Sequence, residues 1–452
     1  MTFSALDSAL LGPLSATEEM RAVFADEARL RAMLAVEAAL ARAQAGLGLV
    51  PATLPAAIEA TAPLDAAAIG RRTALSAVPT IPFVKDVQEQ LPAELERAFH
   101  KGATTQDIMD TALVLQLRPA LDLVAAELDA ILAGLSRLAA AHRATPCVGR
   151  TYAQHAAPLT FGYKVAVWLA GVSEVAERLP EVRRRVMVAS LAGPVGTLAA
   201  LGKDGPAVLE AFAAELGLGS TSIAWHTRRA RMAETGAWLA TVLGAVAKMA
   251  TDIAHLCSTE VGEVAEPYIP GRGGSSAMPH KRNPVSCTVI LAAQAASRGY
   301  AGILADAMVS LHERPAGAWH AEWHALPPLF GLVSGALREA RGLAEGLTVD
   351  AERMRANIDL TQGLLFADAA ASRLSGALGR EAAHALVEHA AGEVRRSGRP
   401  LRAVLEAMPE AKGVALEPAF DLTPSIAAAG PWVDRAIQEA DAVRSLLAAP
   451  AG

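Results

Sequence analysis

The glycine-rich stretch at residues 271–284 concentrates the residue types that acid and base chemistry on a small anion requires. It reads Gly-Arg-Gly-Gly-Ser-Ser-Ala-Met-Pro-His-Lys-Arg-Asn-Pro, which brings hydroxyl groups and basic side chains into one turn-forming segment. Glycine permits left-handed backbone angles and close approach to a ligand, and Asn283 followed by Pro284 is typical of a helix start. We therefore predict that a helix begins here. Its free N–H groups, together with Lys281 and Arg282, are expected to bind a carboxylate or another anion.

Two further polar stretches have compositions that suit ligand contact. Residues 99–107, Phe-His-Lys-Gly-Ala-Thr-Thr-Gln-Asp, place a histidine and two threonines beside Gly102 and end at Asp107, which is positioned to cap the next helix. An ordinary helix N-cap has a similar composition, so both a structural and a ligand-binding role remain open for this turn. Residues 145–158 form a predicted loop that contains the string Gly-Arg-Thr-Tyr-Ala-Gln-His.

Signatures of several other chemistries do not fit the sequence. Lys281 follows a histidine rather than the glycine of a phosphate-binding P-loop, and no G-x-S-x-G elbow of a serine hydrolase occurs. His320 and His324 flank Glu322 at a spacing that permits metal binding on one helix face, but H-x-E-x-H is not the H-E-x-x-H zinc signature. Packing or pocket lining is the favoured interpretation of these histidines. We predict a site without a metal or another cofactor.

Proton transfer next to a carboxylate is the chemistry that suits such a site. Removing a proton at this position creates an enolate-like dianion, which requires fixed positive charge and N–H donors where the charge develops. Lys281, the helix start at Pro284 and Arg314 are candidates for these roles. The predicted substrate is a small acidic molecule.

Composition limits the class of protein. A chain of 452 residues is long enough for two or three domains, and 52% hydrophobic residues with only 4% aromatics indicate a mostly helical protein rich in alanine and leucine. The net charge of −6 argues against nucleic acid as a partner. The cysteines Cys147, Cys257 and Cys287 are far apart in the sequence, which favours a reducing compartment over a disulfide framework.

We expect neither a secretory signal nor a membrane span. Residues 1–14 lack the basic segment of a signal peptide. The longest uncharged run, residues 186–202, is broken by glycine and proline and falls short of the ~20 apolar residues that a membrane helix needs. The predicted location is the cytoplasm.

Long amphipathic segments indicate how the polar stretches are positioned. A helical pattern runs from Asp107 to His142, with Pro119 expected to bend or restart it, and residues 239–256 show apolar spacings of three and four. Residues 284–311 and 319–347 continue the pattern, so about five long helices should form a central bundle. More than one apolar flank on these helices predicts association between subunits.

The three polar stretches resemble a known family. Residues 274–284, Gly-Ser-Ser-Ala-Met-Pro-His-Lys-Arg-Asn-Pro, are similar to the signature loop of the fumarase/aspartase superfamily, and residues 100–107 and 151–158 resemble its other two conserved regions. The resemblance covers essentially the whole chain. It implies an all-α, three-domain fold with a central bundle, assembled as a homotetramer whose active sites each combine three subunits. The expected domains are residues 1–105, 106–347 and 348–452.

Within the superfamily, the sequence most resembles the cycloisomerases that form a lactone. The similar stretches are residues 4–44, 149–158, 225–227, 260–267 and 312–323. Adenylosuccinate and argininosuccinate lyases carry a T-H-x-Q pattern, whereas residues 151–154 read Thr-Tyr-Ala-Gln. An amine leaving group requires a proton donor, but an opening lactone expels a carboxylate that is already a stable anion at neutral pH. Tyr152 therefore favours lactone chemistry, while a fumarate-releasing elimination remains the alternative.

The resemblance also implies roles for individual residues. Ser275 and Lys281 are the expected catalytic residues. Serine is a poor base unless its alkoxide is stabilised, which Lys281 and loop N–H groups could do, and Lys281 could instead carry the proton itself. Both alternatives remain open. A small tricarboxylate substrate is expected to contact His100, Thr104, Thr105, Arg150, Tyr152, Gln154, His155, Met278, Asn283 and Arg314. Two departures from the family pattern concern binding detail only: Thr105 replaces a more usual serine, and Ala230 interrupts a charged run. The signature loop, residues 271–284, is predicted to act as a lid.

Overall fold

The computed structural model describes residues 2–274 and 277–448, and this part of the chain is mostly helical. The N-terminal region holds α1 (Gly12–Ser15), α2 (Glu18–Val23), α3 (Asp26–Gly46), α4 (Leu54–Glu59), α5 (Ala66–Ser76) and α6 (Thr80–Gln88). The middle of the chain holds α7 (Thr105–Ala141), α8 (Phe161–Ala176), α9 (Leu179–Val186), α10 (Gly205–Glu215), α11 (Ala230–Leu256), α12 (Val285–Asp306), α13 (Ala318–Trp323) and α14 (Leu326–Gly346). The C-terminal region holds α15 (Ala351–Asp359), α16 (Ala367–Leu378), α17 (Arg380–Ser397), α18 (Leu401–Glu406) and α19 (Thr423–Ala448).

Short elements connect these helices. Single-turn or slightly longer 3-10 helices lie at Ala5–Asp7, Glu96–Ala98, Ala199–Asp204, Leu364–Phe366, Pro409–Ala411 and Glu417–Phe420. Within the described residues, four short strands form two antiparallel pairs, β1 (Pro146–Thr151) with β2 (Gln154–Thr160) and β3 (Val264–Ala265) with β4 (Thr348–Val349).

A bundle of long helices forms the centre of the fold. α11 packs against α12, α14 and α8, while α7 packs against α14, α8 and α19. Leu239, Val242, Val246 and Ile253 on α11 are fully buried, as their spacing of three and four predicts. The predicted all-α class and central bundle are therefore confirmed.

Helix α11 is long and apolar enough to cross a membrane by length and composition. Half of its most apolar window is buried inside the protein, against α8, α12 and α14. Core helices of globular proteins pass the same test, so the apolar character of α11 is explained by its central position in the bundle.

Several element boundaries differ from the sequence-based expectations. Helix α7 continues through Pro119 without a restart. The single helix expected over residues 319–347 is divided into α13 and α14. Tertiary packing on both sides of α7 outweighs the one backbone hydrogen bond that a proline removes.

The segment expected to be a loop, residues 145–158, is instead largely a β-hairpin. β1 and β2 pair from Pro146 opposite Thr160 to Thr151 opposite Gln154, with a register irregularity between Gly149 and Arg150. The segment Pro-Cys-Val-Gly-Arg-Thr is too short to show a clear alternation of apolar and polar residues. Its glycine and proline also weaken the strand signal, because both residues are uncommon inside strands.

The C-terminal region has a hydrophobic core of its own. Buried residues of α16, α17 and α18, including Leu374, Val387 and Leu401, form a cluster separate from that of the bundle. The last helix, α19, returns to pack against α7 and α8. The division into domains 1–105, 106–347 and 348–452 stays a prediction.

Candidate active site

The first polar stretch forms the N-terminus of α7, where Arg314 joins it. Arg314 Nη1 donates to Thr104 Oγ1 at 2.7 Å, and Nη2 donates to Thr105 Oγ1 at 2.8 Å. The two parallel donors of a guanidinium match the two oxygens of a carboxylate in the same geometry. The structure thus brings together three predicted substrate-binding residues at the positive end of a 37-residue helix, which is suited to an anion.

His100 lies next to this helix start and pairs with a buried glutamate. Its Nδ1 lies 2.6 Å from Glu37 Oε1, and the Glu37 side chain is only 1% exposed. Burial alone would lower the pKa of His100, but the charge and hydrogen bond of Glu37 outweigh burial and raise it. His100 also has a φ of 55°, an uncommon value for a residue with a side chain. Glu37 therefore favours the charged imidazolium at this position.

Asp107 stabilises the start of α7 through its buried carboxylate. Its carboxylate accepts hydrogen bonds from the backbone N–H groups of Thr104, Ala192 and Gly193 at 2.9–3.0 Å. His226 Nε2 lies 2.7 Å from Asp107 Oδ1, and both side chains are buried. The prediction that Asp107 caps the helix is confirmed, because it satisfies the N–H of the N-cap residue from the third helical position.

A second buried group of charges lies one turn further along α7. The Arg229 guanidinium, which is fully buried, donates to Asp110 at 2.7 and 3.0 Å and to Glu322 Oε1 at 2.8 Å. Trp319 Nε1 donates to Asp110 Oδ1 at 3.0 Å. Burial raises the pKa of Glu322 more than Arg229 lowers it. The cluster of Asp110, Arg229 and Glu322 therefore links α7, the start of α11 and α13 to one another.

The second polar stretch places Tyr152 at the tip of the hairpin. Tyr152 and Ala153 are the two connecting residues, with φ values of 48° and 61°, and the Tyr152 side chain is 101% exposed. Two-residue turns with positive φ at both positions favour Asn and Gly, so Tyr and Ala here cost on the order of 1–3 kcal/mol each in strain. Strain of this kind, combined with full exposure of an aromatic ring, is typical of a functional position rather than a packing position.

The other predicted residues of the hairpin lie beside Tyr152. Gln154 is exposed and pairs with Thr151, whereas His155 is half-buried. Burial and the positive charge of Arg150 lower the pKa of His155. Its Nδ1 is buried and has no hydrogen-bond partner within the described part of the chain.

Arg150 is already paired within the chain. Its Nη1 and Nη2 donate to the two carboxylate oxygens of Glu263 at 3.0 and 2.6 Å, and Glu263 is fully buried. Asn357 Nδ2 donates to the same carboxylate at 2.8 Å. A predicted contact of Arg150 with substrate would therefore have to compete with a bidentate ion pair that holds the hairpin to the helical body.

The third polar stretch, the signature loop, is closed at its base by backbone contacts. Gly274 and Arg282 form an isolated antiparallel bridge, and Asn283 N–H donates to the Gly273 carbonyl at 2.8 Å. Gly273 has a φ of 71°, and a Cβ there would lie 2.7 Å from the Asn283 oxygen, so only glycine fits. Lys281, Met278 and Asn283 are exposed. Ser275 lies outside the described residues.

The helix start after the loop does not bind an external anion as expected. Helix α12 begins at Val285, and the Glu266 carboxylate accepts hydrogen bonds from the N–H groups of Ser286 and Cys287 at 3.0 and 2.9 Å. An internal carboxylate thus occupies the anion-binding position. Asn283 is not the N-cap either, because Pro284 takes that place. The expected contribution of this helix start to substrate binding is wrong, and Lys281 is left as the loop's exposed candidate cation for catalysis.

Arg272 and Arg282 have structural contacts at the ends of the loop. Arg272 pairs with the buried Glu339, and Arg282 stacks over the Tyr268 ring at 4.8 Å. The three polar stretches therefore form three groups on one chain, each bonded to its own surroundings. In residues 2–274 and 277–448, no set of three His, Cys, Asp or Glu side chains is arranged to hold a metal ion.

Sequence reasoning missed most of the supporting residues. Glu37, Asp110, Arg229, Glu263 and Glu266 lie far in sequence from the groups they hold. Only Asp107 had a local signal, the Thr-x-x-Asp spacing of a capping box.

Comparison with known proteins defines the class that this fold and site represent. The model of the lyase family matches residues 13–298, which is more than half of the chain. The chain therefore belongs to this family, the fumarase/aspartase superfamily, and is an enzyme of that superfamily.

Individual relatives of known name are similar over nearly their full length. The chain is 46% identical to the 3-carboxy-cis,cis-muconate cycloisomerase of Pseudomonas aeruginosa, over 93% of this chain and 94% of the relative. It is 44% identical to the nitrosuccinate lyase of Streptomyces davaonensis, over 96% and 95% of the two chains. The crystal structure of the 3-carboxy-cis,cis-muconate lactonizing enzyme from Pseudomonas putida superposes with a TM-score of 0.92 at 44% identity, covering 96% of this chain and 100% of that one.

Proposed function

We propose that this enzyme converts 3-carboxy-cis,cis-muconate into carboxymuconolactone, a step in the breakdown of protocatechuate by the β-ketoadipate pathway. A carboxylate of the substrate adds to a double bond, and the carbanion formed next to another carboxylate is protonated from the enzyme. The observation that carries the proposal is Tyr152, strained and fully exposed at the hairpin tip, where adenylosuccinate and argininosuccinate lyases carry histidine. Lactone chemistry requires no proton donor for its leaving group, because that group is a carboxylate.

The substrate's carboxylates are bound at the N-terminus of α7 in this proposal. Arg314 already presents two parallel N–H groups to the Thr104 and Thr105 hydroxyls. A carboxylate that takes over these donors would gain both hydroxyls as additional donors. The helix end and the adjacent His100, whose pKa Glu37 raises, add positive charge on the same side.

The proton is delivered from the signature loop. Ser275 and Lys281 are the proposed catalytic pair, and Lys281 is exposed in this chain, as expected for a residue that acts on a substrate bound elsewhere. We propose that Lys281 stabilises the Ser275 alkoxide or transfers the proton itself. The negative charge of the carbanion is balanced by Lys281 and by loop N–H groups. Loop closure would exclude water from this intermediate.

A homotetramer unites the three groups in this proposal. One chain binds each group to different surroundings, so a complete site requires the hairpin tip and the signature loop of neighbouring subunits. Light scattering after gel filtration should give four times the subunit mass of 46.8 kDa. Mixing Arg314→Met with Lys281→Met subunits should restore activity well above that of either variant alone. A monomeric active enzyme, or mixtures no more active than the better parent variant, would contradict shared sites.

The division of the chain and its location complete the proposal. We place domain boundaries after residues 105 and 347, and we assign the enzyme to the cytoplasm, where the three free cysteines remain reduced. No cofactor is required for this reaction sequence, because every charged group in it comes from the chain.

A fumarate-releasing elimination is the second candidate function. The 44% identity to a nitrosuccinate lyase favours it, and nitrite, like a carboxylate, leaves as a stable anion without a proton donor. Tyr152 therefore argues against an amine leaving group, as in adenylosuccinate, but does not separate lactone formation from loss of nitrite.

Parallel assays separate these functions. The enzyme is incubated with 3-carboxy-cis,cis-muconate, nitrosuccinate and adenylosuccinate, and the loss of diene absorbance, release of nitrite and release of fumarate are measured. We expect the first substrate to have the highest kcat/KM by at least about tenfold, which corresponds to ~1.4 kcal/mol of transition-state binding. A higher kcat/KM for nitrosuccinate would assign the chain to the second function.

A further inference from the structure

A cavity of about 240 Å³ lies between α8 and the C-terminal half of α11, beneath the base of the hairpin. Its volume is below the roughly 300–1,000 Å³ of pockets that bind drug-sized ligands, so a smaller molecule is indicated. Leu159, Tyr163, Val167 and Leu256 form its apolar walls. Apart from Arg150, whose guanidinium is paired with Glu263, none of the proposed site residues lines it.

The charged side chains of this cavity are predominantly basic. Arg150, Lys164, Lys248 and His255 line it, and Asp252 is the acidic residue among the lining side chains. An apolar cavity with a few basic groups is the usual form of a site for an organic anion.

Two of the cations have partners of their own. Arg150 is neutralised by the bidentate ion pair with Glu263, and Lys248 forms an ion pair with Asp252. Trp168 Nε1 donates to the same Asp252 carboxylate at 2.6 Å, which leaves Asp252 less able to attract another cation.

Of the lysine and arginine side chains that line the cavity, Lys164 is the one left without a partner in the described part of the chain. Its side chain is half-buried, and within residues 2–274 and 277–448 it makes neither an ion pair nor a hydrogen bond. The neighbouring Cys147 supplies no negative charge, because burial raises the pKa of its thiol to about 12. Burial lowers the pKa of Lys164, the direction expected for an ammonium group that lacks a counter-ion. A desolvated, unpaired ammonium is costly unless an anion joins it.

We propose that this cavity binds a small monocarboxylate with an apolar or aromatic body, whose carboxylate pairs with Lys164 Nζ. Lys164 is the one lysine or arginine of the lining beyond the two internal ion pairs, which matches a ligand with a single carboxylate. The apolar walls formed by Leu159, Tyr163 and Val167 receive the ligand's body, and Tyr163 offers a ring for stacking. This ligand differs from the tricarboxylate of the proposed reaction, so the cavity is a second site.

Benzoate is the probe, and binding is measured by isothermal titration calorimetry on the intact enzyme. We expect Lys164→Met to weaken benzoate binding by about tenfold or more, since a charge-assisted hydrogen bond is lost, and Lys164→Arg to retain part of it. Benzamide, the neutral analogue, should not bind measurably. Lys203→Met is the matched control, because Lys203 is exposed and distant in sequence, and it should bind benzoate like the wild type.

Competition distinguishes this cavity from the reaction site. Saturating carboxymuconolactone should leave the benzoate affinity unchanged, and Lys164→Met should keep the wild-type kcat and melting temperature, because an apolar side chain of similar length replaces an unpaired cation. Diffraction from crystals soaked in 4-bromobenzoate should show bromine between α8 and α11. The proposal is overturned if benzoate does not bind, if Lys164→Met binds it as well as the wild type, or if the lactone displaces it.

Discussion

Arg229 offers the strongest test of how the site is supported, through the substitution Arg229→Met. The side chain is 0% exposed, and it lies between Asp110 and Glu322, each 1% exposed. Removing the cation leaves two carboxylates buried without a counter-ion. Breaking one buried pair costs about 3–5 kcal/mol, and because the two pairs share one guanidinium, we expect a loss near the upper end of that range rather than twice it.

Urea denaturation followed by tryptophan fluorescence and circular dichroism measures this loss. Arg228→Met is the matched control, since Arg228 is exposed one position earlier and should change stability by no more than about 0.5 kcal/mol. The triple variant Asp110→Asn, Arg229→Met, Glu322→Gln removes all three charges and should recover a large part of the loss.

The pH dependence of the same variant provides an independent check. Burial already raises the pKa of Glu322 above its ordinary value of 4.5, and loss of Arg229 should raise it further. A carboxyl whose pKa is raised by folding stabilises the native state at low pH, and that stabilisation is lost as the pH rises through the raised pKa. The deficit of Arg229→Met should therefore be smaller at pH 5 than at pH 8. A stability within about 1 kcal/mol of the wild type at pH 8 would refute the buried-charge explanation.

Substitutions at four further positions test the proposed reaction and the His100–Glu37 pair. Arg314→Met should lower kcat/KM by roughly ten- to a hundredfold through lost bidentate binding, with Arg314→Lys intermediate, and equal values for both would contradict the fork geometry. Tyr152→Phe should retain most of the lactone-forming activity; a loss of more than about a hundredfold would show that its hydroxyl donates a proton. Lys281→Met should reduce kcat by about a hundredfold or more without lowering the melting temperature, because Lys281 is exposed. The His100–Glu37 pair should stabilise the wild type fully below pH 6.5, and this stabilisation should be lost as the pH rises through the raised pKa of His100. His100→Gln should therefore lower stability below pH 6.5 more than at higher pH. Identical pH–stability curves for the two proteins would show that the pair does not contribute to stability.

The bundle could be predicted because its signal is local and repeated. Apolar residues of α11 recur at spacings of three and four and are buried in the structure, as are those of α7. The hairpin was missed, since six- and seven-residue strands that contain glycine and proline carry little periodic signal. The break between α13 and α14 did carry a local signal, because Pro327 and Pro328 stand in the first turn of α14 and cannot continue a preceding helix.

Part of the candidate site was also predictable, because that part has a local signal in the sequence. Its ligand-facing residues cluster in three short polar stretches, but their partners come from distant parts of the chain, such as Glu37 for His100 and Glu263 for Arg150. The anion site expected at α12 failed because Glu266 reaches the helix start from the preceding strand region. A helix N-terminus in sequence indicates a place for an anion without showing whether the protein supplies that anion itself.

The most direct test of the proposed function is the product formed from 3-carboxy-cis,cis-muconate in deuterated water. Proton and carbon NMR should show the diene converted into carboxymuconolactone with one deuterium on the carbon next to a carboxylate, because the carbanion is protonated by an exchangeable group of the enzyme. The same preparation with Ser275→Ala and Lys281→Met combined should leave the diene intact. Persistence of the diene with the wild-type enzyme, or a product without a lactone ring, would contradict the proposed reaction.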